Sequence, residues 1–344
     1  MTSVTGDTRR SPTTGTGGAV FAVVSAASFG LSGALARGLL DTGWTPGAVV
    51  LVRIALAALV LAPAAAWSLR GRWGALRHSW RTVVLYGLLA VAGAQFCYFS
   101  AVATMDVGPA LLIEYTAPVA VVAWTWLRTG SRPAPATLAG AALAAGGLVL
   151  VLDLFSGADL ALSGVAWASG AMVGATAYFL ISADTGTGLP PLALAGGGLA
   201  VGATALGALA LAGLLPVRFA TASVPYAPGS VAWWVPLLPL GLVTAALAYA
   251  TGVAAGRRLG SRVASFLALL EVLAAVVFAA LLLDQRPGAV QLAGGALVLA
   301  GVVVVKTAEG RTPSTPPAPR IDDEFPHPRR SQRDVVAQET EEQR

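Results

Sequence analysis

The chain has 344 residues, of which 56% are hydrophobic and only 11% are charged, and it carries a formal net charge of +5. A typical soluble domain has about 25% charged residues, so the composition excludes an ordinary water-soluble fold. The basic balance does not predict nucleic-acid binding, because the arginines lie in short breaks between apolar runs. The single cysteine, Cys97, excludes an intrachain disulfide.

The two ends of the chain differ from its middle. Residues 1–17 are rich in Thr, Gly and Ser, and residues 307–344 are polar and Pro-rich, so both are predicted to be disordered cytoplasmic tails. Between them lie apolar stretches of about 20 residues, the length that a helix needs to cross the hydrocarbon core of a bilayer. These stretches predict ten transmembrane helices, near residues 18–39, 46–68, 82–105, 108–127, 136–153, 161–183, 191–215, 233–256, 263–283 and 288–306.

The placement of arginine predicts the orientation, because short loops with an excess of Lys and Arg remain in the cytoplasm. With both termini inside, the cytoplasmic loops contain Arg70, Arg72, Arg77, Arg81, Arg128, Arg132, Arg257, Arg258 and Arg262. The external loops contain Arg37, Arg218 and Arg286 together with Asp41, Asp106, Asp153, Asp159 and Asp284. The loop around Asp184 has no basic residue and does not support this orientation. The richness in Ala, Gly and Arg indicates a bacterial protein, so the expected location is the bacterial inner membrane.

The two halves of the apolar region repeat each other. Arg132-Pro133 followed by Leu138-Ala139-Gly140 recurs at the same spacing as Arg286-Pro287 followed by Leu292-Ala293-Gly294. Each half contains five predicted helices, and since five is odd, the second half enters the membrane from the opposite side. Such inverted repeats allow a central site to open to either side in turn. The alternative is that Gly- and Ala-rich helices resemble each other by composition alone. The predicted repeats are residues 18–153 and 161–306.

Two segments carry a resemblance to a known family. Tyr86 to Val122 contains the run Glu114-Tyr115-Thr116-Ala117-Pro118, and a second segment runs from Ser261 through the last two predicted helices. Together they resemble the ten-helix EamA-like branch of the drug/metabolite transporter superfamily, and the first is similar to the threonine/homoserine exporter type. The resemblance implies an all-α integral membrane transporter. The chain departs from the family at Glu271-Val272, where Glu-Pro is frequent, and at Asp284-Gln285-Arg286, where Gly-Glu-Arg is frequent.

Three ionisable residues lie well inside predicted spans: Arg53, Glu114 and Glu271. A charge at the centre of a bilayer costs at least about 2.5 to 3.5 kcal/mol, so such residues usually face a cavity or a partner. Arg53 and Glu114 lie at similar depths, and they are expected either to bind the carboxylate and the ammonium group of a substrate or to form a permanent ion pair. Glu271 has no basic partner at its depth, which makes it the candidate proton carrier. The alternative is that it stays protonated and hydrogen-bonds a neighbouring helix.

Several uncharged residues complete the predicted site. Gln95, Tyr98 and Tyr249 lie at mid-helix and are suited either to lining a cavity or to joining helices by hydrogen bonds. Pro118, next to Glu114, is the candidate hinge. Small residues such as Gly140, Ala144 and Gly147 favour close helix contacts and are compatible with a homodimer.

No Walker, HExxH or nucleophile-elbow motif is present, so neither an enzyme nor a bound cofactor is predicted. The function predicted is secondary active transport of a small-molecule substrate across the lipid bilayer, with export of amino acids or related amphipathic solutes and coupling to protons. A drug efflux carrier and a flippase for lipid-linked sugars are the alternatives within the same superfamily, and a scaffold that transports nothing is a remote third.

Overall fold

The computed structural model describes residues 13–104, 107–130, 132–151, 161–284 and 287–311. The first half consists of helices α1 Thr13–Asp41, α2 Pro46–Ser68, α3 Trp73–His78, α4 Trp80–Leu85, a π-helical segment π1 Tyr86–Gly93, α5 Ala94–Val102, α6 Val107–Glu114, α7 Ala117–Thr129 and α8 Pro135–Val151. The second half consists of α9 Leu162–Ala183, α10 Pro191–Leu211, strands β1 Val224–Tyr226 and β2 Gly229–Val231, α11 Leu237–Gly241, π2 Leu242–Leu247, α12 Ala248–Leu259, α13 Ser261–Ala268, α14 Leu270–Leu283 and α15 Ala289–Arg311.

Within the described ranges, eight helices are long and apolar enough to cross a membrane. They are Thr16–Asp41, Pro46–Ser68, Trp80–Val102, Leu162–Ala183, Pro191–Leu211, Leu237–Leu259, Ser261–Leu283 and Ala289–Ala308. The fourth predicted span is divided into α6 and α7, and the fifth is the 17-residue helix α8. These two stretches are apolar, but within the residues that the structure describes neither forms an uninterrupted helix of spanning length.

The helix ends follow from local chemistry. Thr45 caps α2, because its side chain accepts a hydrogen bond from the Ala48 amide, and Pro46 occupies the first helical position, where no N–H is needed. Gly130 ends α7 in the left-handed conformation, with φ of 69°. At the outer ends, α1 begins at Thr13 and α15 continues to Arg311, so each predicted tail boundary is displaced by about a helical turn. The remainder of both predicted tails lies outside the described residues.

The two halves are interleaved. Helix α1 packs against π2, α12 and α14, while α9, the first helix of the second half, packs against π1, α5 and α6. The second helices of the two halves, α2 and α10, pack against each other. Close approach at this contact requires glycine, since a Cβ on Gly196 would lie 2.6 Å from the Cβ of Ala65. Helix α8 approaches α15 in the same way, through Gly147 and Gly301.

A β-hairpin, which the sequence did not predict, closes one end of the bundle. Strands β1 and β2 pair antiparallel, with Val224 opposite Val231. The Tyr226 hydroxyl donates a hydrogen bond to the Leu35 carbonyl of α1 at 2.9 Å, and the Ala227 amide donates to the Leu282 carbonyl of α14 at 2.7 Å. The hairpin therefore joins α1 to α14 at the end of the bundle where α1 terminates.

Candidate functional site

Two cavities follow α1 in opposite directions from Phe29. The larger has a volume of about 560 Å³ and extends toward the end of the bundle that contains Arg37 and Asp41. The smaller, of about 70 Å³, extends toward the opposite end. Both are lined by Phe29, Tyr115 and Glu271, so these three side chains lie where the cavities meet. A volume of several hundred Å³ is suited to a small organic molecule.

Breaks in two helices place the carboxyl groups at this junction. Glu114 is the last residue of α6, and the chain leaves the helix for two residues before α7 begins. Glu271 is the second residue of α14, directly after the break at Leu269 that separates α13 from α14. An interrupted helix exposes backbone polar groups, which is tolerated inside a membrane only where they face protein or a water-filled cavity. Both breaks therefore occur where the cavity is.

The two carboxyl groups form one electrostatic cluster. Glu114 lines the smaller cavity and Glu271 lines both. They are close enough to interact with each other and with Arg53. The Tyr115 side chain lines both cavities together with Glu271. A proton or cation entering the junction therefore meets both carboxyl groups and a phenol.

Arg53 lies behind this cluster. Its side chain is 1% exposed and lines neither cavity. Its guanidinium donates hydrogen bonds to the Gln95 side-chain carbonyl and to the Thr244 backbone carbonyl, and it lies 5.9 Å from the ring centroids of both Phe29 and Phe99.

The ion pair between Arg53 and Glu114, one of the two alternatives that the sequence offered, is not formed. Among the described residues, no ion pair within 4.0 Å joins Arg53 to either glutamate. The physical reason is the direction of the side chain: similar depth brings the two residues to one level of the bundle, but Arg53 points toward Gln95 and π2 instead. Its charge therefore reaches the carboxyl groups only at longer range.

The π-helical segments supply hydrogen-bond acceptors between the halves. Arg53 of the first half donates to the carbonyl of Thr244 in π2, and Tyr249 of the second half donates to the carbonyl of Ala90 in π1 at 3.1 Å. A π-type turn departs from the regular i to i−4 pattern and frequently occurs at functional sites. In this protein each π segment accepts a buried side-chain donor from the other half.

The other predicted site residues are distributed over the two cavities. Gln95 and Tyr249 line the smaller cavity and Tyr98 lines the larger one. Pro118 is buried at the second position of α7, directly after the helix break. A hinge role for Pro118 stays a prediction, and its position next to the break agrees with it.

Sequence reasoning did not single out Phe29, Tyr115 or Tyr178, although all three line the smaller cavity. Tyr115 had a signal, because it lies between Glu114 and the Thr-Ala-Pro run. Phe29 and Tyr178 had none, since an aromatic residue within an apolar span is usually a packing residue. Their rings cluster with Tyr249: Phe29 lies 5.1 Å and Tyr178 5.8 Å from its centroid.

Within the described ranges, no group of three His, Cys, Asp or Glu side chains is placed to hold a metal ion.

Comparison with known proteins connects this architecture to one family. The profile of the EamA-like transporter family matches the chain twice, over residues 16–153 and 162–307. Sixteen chains of solved structures match as well. One of them, titled only "Crystal structure of protein", is 20% identical with a TM-score of 0.69 over 87% of this chain and 99% of that chain, which is a likeness of fold alone. No curated protein matches. With two family repeats over most of its length and apolar helices of spanning length in both, the chain belongs to the EamA-like transporter family of multi-pass membrane proteins.

Proposed function

We propose that this protein is a secondary active transporter that moves small amphipathic solutes, amino acids or related ammonium compounds, by alternating access. The observation that carries the proposal is the pair of cavities that meet at Phe29, Tyr115 and Glu271. A solute bound at this junction is reached from one end of the bundle through the 560 Å³ cavity. Closure of that cavity and expansion of the 70 Å³ cavity would expose the same site to the other end.

The contacts between the halves support an inverted ten-helix arrangement. The first helix of each half packs against the third of the other half, as α1 does with α12 and α9 does with α5. The second helices pair with each other, and so do the fifth, α8 and α15. A pseudo-two-fold axis in the membrane plane produces this reciprocal pattern. In this arrangement α6 and α7 together form the fourth span and α8 the fifth.

Contacts at the smaller cavity's end of the bundle support a cytoplasmic position for that end. Gly18, at the start of α1, lies against Leu259 and Arg258, and the Arg257 guanidinium donates a hydrogen bond to Thr187 at 3.1 Å. The loop that contains Asp184 and Thr187, which has no basic residue of its own, therefore lies beside a basic helix end. An excess of Arg at one end is typical of the cytoplasmic side. The larger cavity then faces outward in this conformation. Exchange of the substrate for protons that enter the cell would give export.

Proton coupling is assigned to Glu271. It is the one carboxyl group that lines both cavities among the described residues, so it can exchange a proton with either side of the membrane. Intramembrane carboxyl groups that face a cavity commonly form proton relays. Protonation at Glu271 and binding of an ammonium group are then mutually exclusive, and this exclusion links substrate movement to the proton gradient.

Counterflow in proteoliposomes tests the proposal. The purified protein is reconstituted and loaded with a panel of unlabelled amino acids and amines, and entry of each radiolabelled counterpart is followed with and without an imposed pH gradient. We expect flux that the pH gradient stimulates, and loss of that stimulation in Glu271→Gln. Asp184→Asn, in a loop that lines neither cavity, is the matched control and should keep it. Absence of flux for the whole panel would overturn the function.

A further inference from the structure

The charges along the two cavities are unevenly placed. Among the described lining residues, the acidic and basic side chains are Glu114, Glu271, Arg37 and Asp41. Arg37 and Asp41 form an ion pair of 3.0 Å at the mouth, where both side chains are about half exposed to solvent (52% and 53%). Their charges are therefore mutually compensated and remote from the junction. At the junction itself the two described side chains of this kind that line a cavity are both acidic.

The nearest buried cation is not available to a ligand in this conformation. Arg53 is 1% exposed, and its two terminal nitrogens are engaged by Gln95 and by the Thr244 carbonyl. The ring centroids of Phe29 and Phe99 each lie 5.9 Å from the guanidinium. Its charge lowers the free-energy cost of ionising the neighbouring carboxyl groups through space, but its side chain lines neither cavity and so does not contact a substrate there.

The remaining wall of the junction is aromatic. Phe29 and Tyr115 line both cavities, and Tyr178 and Tyr249 line the smaller one. Phe29 lies edge-on to Tyr249, with the ring planes at 82°. Aromatic faces attract an ammonium group, and the attraction is stronger where water is excluded. Tyrosine hydroxyls add acceptors for its N–H groups.

We propose that this site selects cationic solutes, such as aromatic amines and amino-acid esters or amides, over free amino acids that carry a carboxylate. The inference rests on the proposed transport function and narrows its substrate class. When both glutamates are ionised, two negative charges and the positive charge of Arg53 leave one negative charge, which one bound monocation neutralises. A zwitterion would bring a further carboxylate to the junction, and the one described cation along the larger cavity, Arg37, is already paired with Asp41 at the mouth. Burial of an unpaired carboxylate is costly.

The same charge count links binding of a cationic substrate to protonation of the two glutamates. When one of the two glutamates carries a proton, the cluster is already neutral and an additional cation is no longer favoured. A cation and a proton therefore compete for the same place. Binding of a monocation to the half-protonated cluster releases one proton, and protonation from the other side releases the cation.

Equilibrium dialysis of the purified full-length protein tests the proposal with three probes: radiolabelled tyramine, tyrosine methyl ester and tyrosine. All three have the phenol ring and the ammonium group, and only tyrosine has a free carboxylate. We expect tyramine and the ester to bind at least about tenfold more tightly than tyrosine, because an unpaired buried charge costs upward of about 1.4 kcal/mol. Tyramine binding should also weaken as the pH falls and release protons into an unbuffered solution.

Two variants assign the effect to the cluster. Glu114→Gln and Glu271→Gln should each lose most of the preference for tyramine over tyrosine, while Asp184→Asn, in a loop that lines neither cavity, keeps it. Folding of each variant is checked by size-exclusion chromatography. The wild-type preference needs no variant and decides the matter if a variant fails to fold. Equal or tighter binding of tyrosine, or no binding of any probe, overturns the cation selectivity. The proposed transport function is tested separately, and absence of counterflow for the whole amino-acid and amine panel would overturn it.

Discussion

Two adjacent glycines in α8 provide a sharp test of how the halves pack. A Cβ built on Gly147 would lie 2.6 Å from the Gly294 carbonyl oxygen and 2.6 Å from the Val298 amide nitrogen, both backbone atoms of α15. A Cβ on Gly146 would meet nothing within 4 Å. Substitution of each by alanine adds the same methyl group to the same helix. The two variants therefore differ only in whether that methyl group meets the neighbouring helix.

The magnitude follows from two terms of opposite sign. In a helix interior, Gly→Ala gains about 1 kcal/mol of intrinsic propensity, and this gain is common to both variants. Overpacking at a close contact costs about 1 to 3 kcal/mol, and here the obstacle is backbone, which cannot change rotamer. Gly146→Ala should therefore be neutral or stabilising. Gly147→Ala should be less stable than Gly146→Ala by about 1 to 3 kcal/mol.

Thermal unfolding in detergent measures the difference. At about 2 to 4 °C per kcal/mol, Gly147→Ala should unfold several degrees below Gly146→Ala. Gly301→Ala, on the opposing face of α15, should behave like Gly147→Ala, because its Cβ would lie 2.6 Å from the Gly140 carbonyl oxygen. Equal Tm values for Gly146→Ala and Gly147→Ala would refute the contact between α8 and α15.

Three further variants probe the site and the hairpin. Arg53→Met should lower Tm, because the Gln95 side-chain carbonyl and the Thr244 backbone carbonyl would each lose a donor, at a cost of about 1 to 3 kcal/mol. Arg53→Lys should retain part of that stability. Equal Tm values for the two variants would contradict the hydrogen bonds. Gly252→Ala places a Cβ on the Tyr178 hydroxyl at the smaller cavity and should slow counterflow. Gly207→Ala, whose Cβ would meet nothing within 4 Å, should not slow it. Equal counterflow rates would contradict a role for that cavity. Tyr226→Phe removes the 2.9 Å hydrogen bond from the hairpin to α1 and should lower stability by about 1 kcal/mol in chemical unfolding; no change would mean that this bond is unimportant.

The sequence indicated which carboxyl groups face a cavity, but it did not indicate the contacts around them. Their role in transport stays a prediction. Apolar runs identify the spans, and a carboxyl group inside a span indicates a cavity, as Glu114 and Glu271 illustrate. The partner of Arg53 could not be found in this way. Depth in the membrane follows from counting residues along a helix, but the direction in which a side chain points depends on how the helix is rotated against its neighbours.

Apolar length correctly predicted the seventh span, although the local propensity of its glycines opposes a helix. The run Gly196-Gly197-Gly198 disfavours a helix in isolation, yet it lies within α10. The reason is contact: a Cβ on Gly196 or Gly197 would lie 2.6 Å from Ala65 or 2.9 Å from Val83, respectively. Close packing compensates there for the weak propensity of glycine. The π segments could not be predicted from the sequence, since nothing in the residues of Tyr86–Gly93 or Leu242–Leu247 distinguishes them from an ordinary α-helix.

The sequence by itself determined the class of molecule, its two related halves and the few charged residues that a membrane interior tolerates, because these depend on composition and spacing along one chain. Only the tertiary structure decided which charges face a cavity and which are enclosed. Glu271 lines both cavities and Arg53 lines neither, although both are ionisable residues inside apolar helices. The difference arises from how helices of the two halves are rotated against each other, and no single segment contains that information.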